Sequence, residues 1–179
     1  EEIFLDQSLG RILQEEIVAD RDFPPFNRVT MDGIGLSFDQ FEKGQRVFEI
    51  KGVAPAGGLQ KELQDPSCCL EVMTGATVPI GVDIVVCYED LEIQEGTATV
   101  RLSSLNRNQN IHFKGSDRHQ GSVILSPGKC ISASEVGVCA TVGKNKISVS
   151  RLPKTLIVSS GDELVNIDQT PLSHQIRRS

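Results

Sequence analysis

The sequence predicts an α+β, β-rich fold, and three observations carry that reading. Short alternating or wholly apolar runs recur along the 179-residue chain, separated by turns that use many of its 16 glycines and 8 prolines. Complete helix-start and helix-stop chemistry occurs at one place, the capping box Ser132-Ala133-Ser134-Glu135 followed by Gly143. Aromatic residues make up 4% of the chain, with no Trp and one Tyr, so the core must be aliphatic.

In order, Asp6 or Ser8 is placed to cap a short helix carrying Leu9, Ile12 and Leu13 on one face, although Gly10 weakens it. Residues 16–20 read as a short strand. The stretch Phe23-Pro24-Pro25-Phe26-Asn27-Arg28-Val29-Thr30-Met31-Asp32-Gly33 then breaks regular structure. Its prolines lack N–H donors, and Asp-Gly is turn chemistry. Val47-Phe48-Glu49-Ile50-Lys51 alternates as a half-buried strand, and 54–58 is a loop. Residues 68–73 are a strand running into the turn 74–81. Asp83-Ile84-Val85-Val86-Cys87-Tyr88 is a fully buried strand. Residues 91–93 and 97–102 flank Glu95-Gly96 as a hairpin. A polar loop (106–110), a short extended piece (111–113), a turn (114–117) and a strand (122–125) follow. The capped helix and a strand from Lys146 to Ser150 come next. Leu156-Ile157-Val158 is expected to be a strand whose carboxyl end presents Ser160-Gly161-Asp162-Glu163, the edge where α/β sheets place ligand groups.

Bulk properties exclude several functions. Net charge is −6 and no Lys/Arg cluster stands out, which argues against nucleic acid as a partner. No run is long enough to span a membrane and no signal peptide is evident, so no membrane partner and a cytoplasmic location are expected. Five cysteines with no C-x-x-C spacing fit neither a zinc site nor a disulfide framework, and reduced, mostly core thiols are expected. The three histidines lack ligand spacing and are expected at the surface. The chain starts without Met and stops just after the last strand-loop, which reads as a fragment.

Four turns place glycine beside an acid or a hydroxyl: Thr30-Met31-Asp32-Gly33, Met73-Thr74-Gly75-Ala76, Lys114-Gly115-Ser116-Asp117 and Ser160-Gly161-Asp162-Glu163. Glycine lets backbone N–H groups approach an anion, and a carboxylate can hold Mg²⁺ against a phosphate. Singly, each is an ordinary turn.

Together with Leu9-Gly10-Arg11-Ile12-Leu13, Gln109-Asn110-Ile111, Pro127-Gly128 and Gln175-Ile176-Arg177, the ordered turns resemble the MoeA family of molybdopterin molybdenumtransferases, which includes the E domain of gephyrin. The resemblance implies a MoeA-like N-terminal region. Residues 1–20 and 121–151 would form a split, mostly β domain, with 21–120 an inserted α/β domain. Residues 152–179 would open a truncated molybdopterin-binding domain. It implies an enzyme that inserts molybdenum from molybdate into adenylylated molybdopterin with release of AMP, using Mg²⁺ or another divalent metal. A homodimer with a cleft shared between subunits is implied, and a molybdopterin adenylyltransferase is a candidate partner. Position by position, it assigns catalytic roles to Asp32, Thr74, Asp117 and Glu163. It assigns substrate binding to Gly33, Gly75, Lys114, Ser160, Gly161 and Asp162; metal ligands are left unassigned. The chain departs from the family at Ile34-Gly35, where Tyr-Ala is usual, at His112-Phe113-Lys114, where arginine is common, and at Ser116, where Glu is usual. Lys keeps charge but loses the bidentate guanidinium fork. These departures leave a gephyrin-like scaffold or a divergent paralogue as the alternative. The tail from Pro153 is expected to lack the partners needed to complete its own sheet.

Overall fold

The computed structural model describes residues 1–178. In chain order its elements are β1 (Glu2–Phe4), β2 (Ile17–Val18), β3 (Arg28–Val29), β4 (Gly33–Leu36), α1 (Phe38–Glu42), β5 (Val47–Ala54), β6 (Cys69–Val72) and β7 (Ile84–Cys87). Then follow β8 (Leu91–Gln94), β9 (Thr97–Val100), β10 (Ile111–His112), β11 (Val123–Leu125), α2 (Ala133–Thr141), β12 (Lys146–Ser148), β13 (Leu164–Val165) and β14 (Ile176–Arg177). Contacts divide the chain into two units, Glu2–Val149 and the segment from Ser150 onward with Glu1.

The first unit centres on a six-stranded sheet of order β7-β4-β6-β5-β9-β8, in which only β5 and β6 run parallel. Its central strands are apolar on both faces because both faces are covered. Ile84 and Val86 join one apolar cluster with Ile34, Leu36 and Phe48. Val85, pointing the other way, joins Val29, Leu70 and Val72. Between β8 and β9 the turn residues Glu95 and Gly96 have φ of 46° and 77°. Two positive φ values are the signature of the tight hairpin turn that matches strand twist. Within 21–120, helix is limited to the five residues of α1 and a 3₁₀ turn at Tyr88–Asp90. The stretch expected as α/β is therefore dominated by strands.

A third cluster draws on both ends of the unit: Leu13 and Ile17 pack with Ile131, Cys139, Val142, Ile147 and Val149. Antiparallel pairs β1–β12 and β2–β11 tie the same segments. Burying each Leu or Ile contributes about 1.5–3 kcal/mol relative to leaving it exposed. The chain leaves and re-enters this region side by side. The Ala19 N–H donates to Ser122 O at 2.9 Å, the Gly121 N–H to Ala19 O at 2.8 Å, and Phe23 bridges Arg118.

Two local expectations are corrected. No helix forms over 9–13. Gly10 takes φ of 78°, and Ile12 and Leu13 are drawn into extended bridges with Cys130 and Val149, so tertiary pairing overrides the apolar spacing. Lys144 Nζ donates to Glu15 Oε2 at 2.6 Å. Burial pushes the Glu15 carboxyl up, but that bond and the Ser148 N–H outweigh it and hold the group below its ordinary value. In the second unit, residues 156–158 do not form a strand. They lie open, with Leu156 at 86% exposure, because no ladder partner exists for them among the described residues. Its only pairing there is the parallel contact of β13 with β14. Of the cysteines, Cys68, Cys69 and Cys139 are buried, Cys87 is half-buried and Cys130 is exposed; all are free.

The capping box forms as its sequence requires. Ser132 Oγ accepts from the Ser134 N–H at 3.2 Å, and Glu135 accepts from the Ser132 N–H at 2.9 Å and from its hydroxyl. These bonds hold the Glu135 carboxyl at about 2, below its ordinary 4.5. A depressed carboxyl stabilises the fold fully above its unfolded value and loses that contribution as pH falls through the folded one. Replacing Glu135 by Gln should therefore flatten the stability–pH curve between about 4.5 and about 2, measured by thermal melts across that range.

Glycine is required at one position inside the sheet. A Cβ on Gly33 would overlap the Val86 carbonyl oxygen, which belongs to backbone and cannot swing away. Gly33→Ala should cost about 3 kcal/mol or destroy the fold. Gly137→Ala, on α2 with open space around it, should gain about 0.5–1 kcal/mol. Urea midpoints of the two variants check the contrast.

Candidate functional site

The first two glycine turns meet at one end of β4. Asp32 precedes the strand and Thr74 lies two residues beyond β6, its antiparallel neighbour. Asp32 Oδ1 accepts the Thr74 backbone N–H at 2.6 Å. Gly75 has φ of 88°, which turns its N–H onto Val29 O at 2.9 Å, while the Val29 N–H donates to Ala76 O at 2.9 Å. On the other side of β3, the Thr30 N–H donates to Asn110 O at 3.1 Å. The turn is thus held along both edges. Asp32 and Thr74 themselves are exposed. The Thr74 backbone N–H, and then its side chain, hold the Asp32 carboxyl below its ordinary value. Gly33 is buried, and its bare backbone answers to the packing of β7.

The third turn forms a second group. Asp117 Oδ1 lies 2.9 Å from His112 Nε2, and His112 Nδ1 lies 3.3 Å from the Arg28 guanidinium. Arg28 can only donate, so Nδ1 accepts and Nε2 carries the proton given to Asp117. Arg28 and His112 are register partners across β3–β10. The Lys114 N–H donates to Asn27 Oδ1 at 2.9 Å, and Lys114 Nζ lies 3.5 Å from Asp22 Oδ2. The Pro24-Pro25 segment has no N–H to offer at its prolines but supplies acceptors nearby. Pro24 O takes the Gly115 N–H at 3.0 Å and Phe23 O the Asp117 N–H at 2.9 Å.

Ser160, Gly161, Asp162 and Glu163 lie on the second unit and are exposed. There the Leu164 N–H donates to Gly161 O at 3.1 Å, and the Ile176 N–H to Glu163 O at 2.8 Å. So the structure joins Asp32, Thr74 and Gly75 in one group and Lys114 with Asp117 in another.

Four participants were not picked out by their spacing. Tyr88 donates its hydroxyl to Glu71, His112 orients Asp117, and Asp22 pairs with Lys114. Two of these left a trace: Glu71 is the one acid inside an apolar strand, and Tyr88 is the only tyrosine in the chain. Where the family resemblance expects a phenol at position 34, this chain has Ile34, and a phenol reaches the neighbourhood from Tyr88.

Residues 1–143 match the family model of the MoeA N-terminal region, domains I and II. The chain belongs to the MoeA family. Among MoeA relatives, a molybdopterin molybdenumtransferase of Synechocystis is 40% identical over 180 residues, spanning 98% of this chain and 45% of the relative. One from Staphylococcus epidermidis is 33% identical over 181 residues, spanning 99% and 43%. Two crystal structures of the molybdopterin biosynthesis MoeA protein from Pyrococcus horikoshii align with TM-scores of 0.82 and 0.85 at 27% and 29% identity. They cover 99% and 92% of this chain, which covers 46% and 44% of theirs. The chain spans less than half the length of the relatives it matches.

The Asp32–Thr74 bond should persist into acid. A lowered carboxyl keeps its bond above the ordinary value of 3.8 and loses it only as pH falls through the lower, folded value. Carboxyl ¹³C titration should place the Asp32 midpoint below 3.8; a midpoint at or above that value would show that the Thr74 N–H does not hold the charge.

Proposed function

We propose that the protein carrying this chain inserts molybdenum from molybdate into adenylylated molybdopterin, releasing AMP, as part of molybdenum cofactor biosynthesis. The observation that supports this best is the Asp32–Thr74 pair, an exposed, ionised carboxylate fixed to a backbone N–H, in a chain of MoeA descent. The MoeA relatives are named for this transfer.

The residues suit positioning and charge control more than covalent catalysis. Burial pushes up the thiol of Cys87, which pairs with Gly33 beside the site, so it is a poor nucleophile at neutral pH. Asp32 stays ionised, and Lys114 brings a cation close to Asp117's turn. Mg²⁺ usually takes one or two carboxylates together with substrate phosphates and water. That demand fits Asp32, a hard oxygen donor open to solvent. No cluster of three or more His, Cys, Asp or Glu side chains fit to hold an ion occurs among the described residues. A cation held there would neutralise charge on the phosphates and the departing AMP. Asp32 would orient it, Thr74 would keep Asp32 in place, and Asp117 would bound the substrate; Glu163, on the second unit, keeps the catalytic role that the family resemblance implies. Gly75 and Lys114 are the proposed substrate contacts of the first unit, whereas Gly33 is buried and serves packing. Ser160, Gly161 and Asp162 are the proposed contacts of the second unit.

The same reading divides the chain into a split β-rich domain (1–20 and 121–151), an insert (21–120) and the start of a molybdopterin-binding domain from 152. The cluster shared by Leu13, Ile17, Ile131 and Ile147 supports the first of these. A homodimer with a cleft between subunits, delivery of pterin by an adenylyltransferase, and a cytoplasmic location complete the proposal. No helix among the described residues is long and apolar enough to cross a membrane.

The full-length gene should restore molybdoenzyme activity to a cell lacking the insertion step, and the Asp32→Ala form should lose about 100-fold or more of the insertion rate. Residues 1–179 alone should show no turnover. Full insertion activity in the Asp32→Ala protein would remove Asp32 from the site.

A further inference from the structure

The hydrogen bond between Tyr88 and Glu71 joins the two neighbours of β4 close to its start, just after Asp32. Ile34 is the register partner of both Glu71 on β6 and Val86 on β7. Register partners share a face, so Ile34, Glu71 and Val86 lie on one side of the sheet. The Tyr88 ring packs against the cluster containing Ile34 and Val86, and its hydroxyl donates to Glu71 Oε1. The Tyr88 backbone N–H donates to Asp32 O at 3.2 Å.

Asp32 is therefore gripped from two strands. Its carboxylate takes the N–H of Thr74, beyond the end of β6, and its carbonyl takes the N–H of Tyr88, at the end of β7. These two donors belong to strands that do not pair with each other, because β4 lies between them. The Tyr88–Glu71 bond is a direct tie between β6 and the end of β7, and it fixes how far apart the two donors stand.

We propose that Tyr88 and Glu71 are positioning residues for the Asp32–Thr74 site, a phenol–carboxylate strap across β4 that holds the Asp32 carboxylate in register for a phosphate-bearing substrate. The substrate clause rests on the function proposed above; the strap itself does not. A neutral phenol satisfies Glu71, and burial, then the Glu71 bond and charge, then the charge of Asp32, all push the Tyr88 hydroxyl above its ordinary value. It stays a donor at neutral pH.

The test uses the full-length protein with Tyr88→Phe, Glu71→Ala and Glu71→Gln. Phe keeps the ring that packs on Ile34 and Val86, and Gln keeps an oxygen that can accept the phenol. Amide exchange at Thr74, at fixed pH under native conditions, reads the Asp32 bond directly. Tyr88→Phe and Glu71→Ala should each speed it about tenfold, and Glu71→Gln should restore it to within about twofold of wild type. In the insertion assay the first two should lower kcat about tenfold with KM little changed, and Glu71→Gln should recover kcat. Unchanged Thr74 exchange in folded Tyr88→Phe protein would overturn the strap, as would Glu71→Gln behaving like Glu71→Ala. Should Tyr88→Phe fail to fold, the two Glu71 variants decide by the same exchange measurement. If the wild-type protein inserts no molybdenum, the functional reading falls, and Thr74 exchange still decides whether the strap positions Asp32.

Discussion

Strand β4 can lie between β6 and β7 because Gly33 has no side chain. The Val86 carbonyl occupies the space a Cβ would need. Everything at that end of the sheet follows from this close approach. It sets the level at which Asp32 leaves the strand, brings the Thr74 N–H within 2.6 Å of its carboxylate, and leaves Tyr88 placed to reach across to Glu71. A bulkier residue at 33 would push β7 outward and separate the two donors that hold Asp32.

The structure distributes its polar groups unevenly around this point. One backbone N–H, that of Thr74, which cannot change protonation, holds the carboxylate of Asp32. In the second group the pattern reverses: Asp117 is oriented by a side chain, His112, whose tautomer is set by Arg28. Backbone anchoring makes the geometry at Asp32 insensitive to pH near neutrality. The two acids answer to different chemistry.

Much of this was legible in the sequence where the physical code is local. The capping box and Gly143 specify α2, Glu95-Gly96 specifies its hairpin, and the run Ile84-Val85-Val86 specifies a strand covered on both faces. The code failed where partners are distant. Leu9, Ile12 and Leu13 have helical spacing, but the positive φ of Gly10 and bridges to Cys130 and Val149 impose extended backbone. Leu156-Ile157-Val158 has the composition of a buried strand, yet composition supplies no neighbour to pair with. Among the candidate residues, Asp32 and Thr74 stand in Asp-Gly and Thr-Gly turns that are visible in any window, and the family resemblance is what gave them roles. Tyr88, Glu71 and His112 went unread because their importance lies in cross-strand register, which no single segment encodes.

The cluster in which Leu13 and Ile17 meet Ile131, Ile147 and Val149 has a consequence for the making of the chain. As the polypeptide emerges, Leu13 and Ile17 have no partners until the distant segments carrying Ile131, Ile147 and Val149 have been made. At ordinary elongation rates this interval is on the order of ten seconds. The six-stranded sheet, whose residues all lie between, can assemble in that time and hold its entry and exit strands adjacent. The sheet thereby shortens the loop that the late segments must close, and the exposed early residues depend on its prior folding for protection from aggregation.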